Sequence, residues 1–107
     1  MERGLLTGKI TPDYKFEEGD HRADLPHFQA EFVKKTNVLL DKIKPIADEH
    51  KASLSQLVLR WTIERPGITI ALAGARNAKQ AEQNAKAIDI KLSKEELKTI
   101  DDYVNNF

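Results

Sequence analysis

Ile68-Thr69-Ile70-Ala71-Leu72-Ala73-Gly74-Ala75-Arg76-Asn77-Ala78-Lys79-Gln80-Ala81-Glu82-Gln83-Asn84 decides how this sequence is read. Residues 68–73 are too short for a helix and rich in β-branched side chains, which predicts a buried strand. Gly74 then permits a turn, and Asn77 with Gln80 three residues on forms a capping pattern that opens a helix to about residue 88. A strand-to-helix turn of this kind presents unpaired N–H groups to an anion. Arg76 adds a fixed positive charge beside them. The segment therefore reads as a phosphate-binding junction, or more plainly as a capped helix with a solvated arginine.

Downstream, Ser93 and Glu96 make another capping box, and Leu97, Ile100, Val104 and Phe107 line one face of a terminal helix. Upstream, Ser53 and Gln56 cap a helix in which Leu54, Leu57, Val58 and Trp61 fall at i, i+3, i+4 and i+7. That helix ends near Arg65, where Pro66-Gly67 stops it. Before it, residues 28–50 read as a helix with Phe32, Leu39, Ile43 and Ile46 on one face and Ala47 beside them. Pro45 lacks the N–H that a helix interior needs, so a kink or break is expected near residues 41–44. Residues 3–27 hold Gly4, Gly8, Pro12, Gly19 and Pro26 among many charges, and read as a long irregular loop with a possible strand remnant at 3–6.

At 107 residues the chain is one domain or part of one. Seventeen Lys and Arg balance seventeen Asp and Glu. Zero net charge argues against a general nucleic-acid or membrane-surface binder. The absence of cysteine excludes disulfides and thiolate metal sites. No apolar run approaches the roughly 20 residues of a membrane span, and Met1-Glu2-Arg3-Gly4 has no signal-peptide character, so a cytoplasmic location is expected. His21, His27 and His50 show no metal-ligand spacing and read as solvent-facing. Trp61 reads as core. Asp101-Asp102 and Glu95-Glu96 read as helix surface charge, so no catalytic and no metal-binding residue is assigned.

Three blocks give the chain a family resemblance. Arg3-Gly4-Leu5-Leu6-Thr7-Gly8-Lys9, Phe16-Glu17-Glu18-Gly19-Asp20-His21-Arg22 and the run from Gly74 to Asn84 occur in the order and spacing of the C-terminal part of an aldo-keto reductase. The chain resembles the branch that includes potassium-channel β subunits and bacterial general-stress reductases. The resemblance implies an α/β fold, the C-terminal segment of a (β/α)₈ barrel, mostly helical in isolation with one clear strand and about four helices. Residues 1–27 would form a cofactor loop, and residues 28–107 the last helices and the eighth strand.

The same resemblance implies NADP(H) as the cofactor of the intact parent, and hydride transfer to a small aldehyde or ketone. Gly74, Ala75, Arg76 and Asn77 would hold the 2′-phosphate of the adenosine ribose. Gln80 and Asn84 would reach the adenosine phosphate and adenine. Gln83 stands where the family usually has Glu against the adenine amino group. Lys9 and Arg22 would fold over the phosphates, and Arg3, Gly4 and Leu5 would line the pyrophosphate. The catalytic Asp, Tyr, Lys and His of the family belong to the first half of the barrel and match nothing here.

The expectation is therefore a truncated reductase, inactive alone, with weak or no cofactor binding and the N-terminal part of the barrel as its missing partner. The alternative is a stand-alone helical interaction module. In either case one strand cannot make a sheet, and its unpaired edges predict a homo-oligomer or a helix rearranged over it.

Overall fold

Polar caps set where three of the four α-helices begin in the computed structural model, which describes residues 1–107. The helices are α1 (Ala30–Glu49), α2 (Leu54–Ile63), α3 (Ala78–Ala85) and α4 (Lys94–Asn105). Ser53 with Gln56, and Ser93 with Glu96, form complete reciprocal capping boxes at α2 and α4. Short 3₁₀ segments occupy Glu2–Thr7, His21–Asp24, Pro26–Phe28 and Lys86–Asp89. The N-terminal loop is thus a string of tight turns, and the last of these segments continues α3 toward residue 89.

There is no β-strand anywhere in the chain. This overturns the expected α/β class, the buried strand at 68–73 and the strand remnant at 3–6. The physical reason lies in the hydrogen bonds. A strand exists only where a second strand accepts its N–H groups, and none lies alongside. Residues 68–75 instead form an irregular run, with Ile68, Ile70 and Leu72 exposed by 43%, 74% and 96%. The remnant at 3–6 is a turn in which Arg3 (φ 54°) and Gly4 (φ 98°) leave helical geometry.

Pro45 does not break α1, which runs through it from Ala30 to Glu49. Pro45 and Asp41 are both on the exposed side, so the Asp41 carbonyl that loses its helical partner can take a bond from water. The buried stripe of α1 is Val33, Thr36, Leu40, Ile43 and Ala47. Of the expected face, Ile43 and the neighbouring Ala47 are in this stripe, whereas Phe32, Leu39 and Ile46 flank it half-buried. Thr36 sits in this stripe at no cost, because its hydroxyl donates to the Phe32 carbonyl at 2.9 Å.

Two apolar clusters share α1. Leu40, Ile43, Ala47, Leu57 and Ile100 join α1, α2 and α4, with Trp61, Tyr103 and Val104 packed around them. Leu5, Ile10, Phe28 and Val33 pin the N-terminal turns against the start of α1. Only 12 of 107 residues are buried, so this small core leaves little margin and each of its members counts. His50 is not free in solvent as expected: it is half-buried, and its Nε2 lies 2.8 Å from Glu96 Oε2. This contact ties the end of α1 to the first turn of α4.

Candidate anion-binding cleft

The N-terminal turns, the start of α2 and the entry to α3 enclose a cleft of about 1190 Å³. Nine residues read from the sequence as cofactor-binding line it: Arg3, Gly4, Lys9, Arg22, Gly74, Arg76, Gln80, Gln83 and Asn84. They come from opposite ends of the chain. Leu5, Ala75 and Asn77 do not line it. Leu5 is 3% exposed and belongs to the core, and the Asn77 side chain is taken by the α3 cap.

Arg22 organises the N-terminal wall. Its Nε and Nη2 donate to the Asp20 carboxylate, with Nη2–Oδ2 at 2.6 Å, and its Nη1 donates to the Arg3 carbonyl at 3.1 Å. The guanidinium also lies over the Phe16 ring, 5.1 Å from its centroid. Gly4 comes close to this group: a Cβ there would stand 3.5 Å from Arg22 Nη1. Hydrogen bonds from the Arg22 side chain and backbone N–H hold the Asp20 carboxyl at about 2, below its ordinary 3.8. The same pairing raises the Arg22 pKa.

The C-terminal wall is built on the α3 cap. Asn77 Oδ1 accepts from the Gln80 N–H at 2.9 Å. The Gln80 carboxamide oxygen does not return to the cap residue. It accepts from the Arg76 N–H at 2.7 Å, so the third capping pattern closes one residue early. The Asn84 side-chain amide donates to the Gly74 carbonyl at 3.1 Å and fixes the turn on the helix. Gln56 of α2 donates to the Gln83 carbonyl at 2.9 Å, which holds α3 against α2.

The charge of the cleft is one-sided. Arg22 is neutralised by Asp20, whereas Arg3, Lys9 and Arg76 take part in none of the chain's five ion pairs. Three uncompensated cations thus face one cavity in a chain of zero net charge. That field favours an anion carrying more than one charge. Reading the sequence missed Tyr14, His21, Ser53, Ser55 and Gln56 as lining groups. The Ser53–Gln56 box marked a helix start there, but nothing local showed that this start faces residues 74–84. Among the side chains that line the cleft, Asp20 and Arg22 are joined directly by hydrogen bonds.

Comparison with known proteins places the sequence in a family. The sequence profile described as the Aldo/keto reductase family matches residues 1–105. Aldo-keto reductase YhdN of Bacillus subtilis is 35% identical over 105 residues, covering 97% of this chain and 32% of that protein. Aldo-keto reductase yakc of Schizosaccharomyces pombe, whose name specifies NADP(+), is 33% identical over 99% of this chain and 31% of its own length. The NADH-specific methylglyoxal reductase of Escherichia coli is 33% identical over 87% of this chain and 28% of its own. The chain spans about a third of the length of the curated relatives it matches.

Proposed function

Because the chain belongs to the aldo/keto reductase family, we propose that its cleft is the adenosine-phosphate side of an NADP(H) site, without the catalytic machinery. The observation that carries this reading is the convergence of Arg3, Lys9 and Arg76, all without carboxylate partners, on one cavity also lined by Gln80 and Asn84. The residues present fit the phosphate-bearing half of a dinucleotide. On this reading Arg76 would pair with a ribose phosphate, and Lys9 and Arg3 with the pyrophosphate. In the parent reductase the nicotinamide would supply hydride to a small aldehyde or ketone. The role of this chain is to bind and orient the adenosine end.

Half a site gives weak affinity. The cofactor would bind through its phosphates alone, with its nicotinamide left in water. The test is a titration of the pure chain with NADPH, NADH and 2′,5′-ADP, followed by backbone amide shifts. Weak NADPH binding, with shifts at Arg22, Arg76 and Gln80 that 2′,5′-ADP reproduces and NADH does not, is the expected result. Micromolar NADPH affinity, or turnover of a carbonyl substrate by the pure chain, would overturn the proposal.

A further inference from the structure

The wall that α3 gives the cleft has a direction. Arg76 precedes the first turn of the helix, and Gln80 and Asn84 follow on one face, one turn apart. A carboxamide can show a ligand either a donor or an acceptor, because its oxygen and nitrogen exchange places when it turns over. Backbone groups make that choice for both residues. Gln80 Oε1 accepts from the Arg76 N–H at 2.7 Å, which leaves its amide nitrogen for a ligand. Asn84 Nδ2 donates to the Gly74 carbonyl at 3.1 Å, which leaves its oxygen. Turning the Asn84 amide over would set oxygen against the Gly74 carbonyl oxygen, so its polarity is locked. Gln83 also lines the cleft and is not held in this way. Its backbone carbonyl accepts from Gln56, while its exposed side chain bonds to nothing in the chain and is free to turn over.

We propose that Asn84, locked by the Gly74 carbonyl, is the residue that selects a purine bearing an exocyclic amino group, and that Gln83 accepts either kind of purine. The inference rests on the reading of the cleft as the adenosine-phosphate side of a dinucleotide site. Cation, donor and acceptor follow in order from Arg76 through Gln80 to Asn84. That order matches a ligand with an anion at one end and a hydrogen donor at the other. The amino group of adenine is such a donor. Hypoxanthine carries a carbonyl in its place, and against Asn84 this sets acceptor against acceptor. Gln83 relieves the same mismatch by turning its nitrogen toward the carbonyl. No other acceptor of comparable strength is free, since Asp20, the one carboxylate lining the cleft, is held by Arg22 in the N-terminal wall.

The test compares 2′,5′-ADP with inosine 2′,5′-bisphosphate, which has the same phosphates and lacks only the amino group. The parent chain is expected to bind the adenine form about three- to tenfold more tightly, the worth of one hydrogen bond. Gln83→Ala should weaken both nucleotides alike and keep the preference. Asn84→Ala should lower the affinity for the adenine form to that of the inosine form and leave the latter nearly unchanged. Asn84→Ala also removes the bond to Gly74, and a disturbed turn would show as an equal loss for both nucleotides with the preference intact. That result overturns the inference, as does a preference lost in Gln83→Ala and kept in Asn84→Ala. Equal binding of the two nucleotides by the parent chain overturns it while leaving the reading of the cleft in place. Binding of neither overturns both.

Discussion

Trp61 donates its indole N–H to Asp101 Oδ1 at 2.8 Å, joining α2 to α4 across 40 residues of sequence. Arg65 reaches the same oxygen at 2.6 Å and lies over the Trp61 ring, 4.9 Å from its centroid. One carboxylate thus holds two groups from the end of α2. Asp101→Ala removes both bonds and leaves the indole N–H half-buried without a partner. The expected loss is ~1–2 kcal/mol, since part of the site is open to water. Trp61→Phe should cost less through the hydrogen bond but more through packing. Urea midpoints for the two variants separate these contributions.

Leu57 is fully buried between α1 and α4 in a core of few members. Leu57→Ala should cost ~2–5 kcal/mol through lost burial and an unfilled cavity. In a chain with so small a core this is a large share of the total, so thermal unfolding should shift far down or lose its cooperative transition.

Gly8 adopts φ 78°, and a Cβ there would stand 2.8 Å from Leu54 Cδ1. Gly8→Ala combines a left-handed backbone with that clash. A loss of ~1–2 kcal/mol is expected from the backbone alone, and the Leu54 side chain must move as well. The turn carries Thr7 and Lys9 to the cleft, so amide shifts there should change even where the helices persist.

Acid should open the chain at two places. The Asp20 pKa is depressed on folding, so its pairing with Arg22 contributes stability above pH 3.8 and loses it as pH falls toward about 2. Glu96 is also lowered on balance. Its burial pushes the pKa up, but hydrogen bonds from the Ser93 N–H and His50 outweigh this. The α4 cap is therefore expected to weaken below the ordinary Glu value of 4.5. Carboxyl carbon shifts followed from neutral pH downward should show both carboxyls titrating below their ordinary values, and Asp20→Asn should abolish the Asp20 step while loosening Arg22.

Arg76 makes no ion pair, so Arg76→Ala should leave stability within about 0.5 kcal/mol of the parent. It should weaken 2′,5′-ADP binding by roughly three- to tenfold, through the loss of a charged contact in an exposed cleft. An unchanged titration curve would remove Arg76 from the site.

The helix starts were legible because a cap is a local object: Ser53 with Gln56, and Ser93 with Glu96, need only each other. Asn77 was legible as a cap too, but the Gln80 carboxamide had two backbone N–H groups within reach and took that of Arg76. The strand failed as an expectation because its hydrogen bonds are not local. Residues 68–73 have strand composition without a neighbour. On α1 the apolar residues are dense enough to support two adjacent stripes, and packing by α2 and α4 chose Leu40 over Leu39. His50 could not be paired with Glu96 from the sequence, because 46 residues separate them. Of the cleft, the residues from Gly74 to Asn84 stood out by local pattern. That Arg3, Lys9 and Arg22 join them rested on family spacing, and Ser53, Ser55 and Gln56 enter only through the docking of α2 on α3.

Arg22 uses donors on all three guanidinium nitrogens inside the protein, two toward Asp20 and one toward the Arg3 carbonyl. Of five N–H groups, one remains on each terminal nitrogen. It is a strut with little left to offer a ligand. Its effect is that two stretches nineteen residues apart are already clasped before any anion arrives. The conformational freedom of that wall is given up at folding, not at binding. A phosphate entering the cleft meets a preorganised edge on this side, and only the side chains of Arg3, Lys9 and Arg76 remain to be ordered.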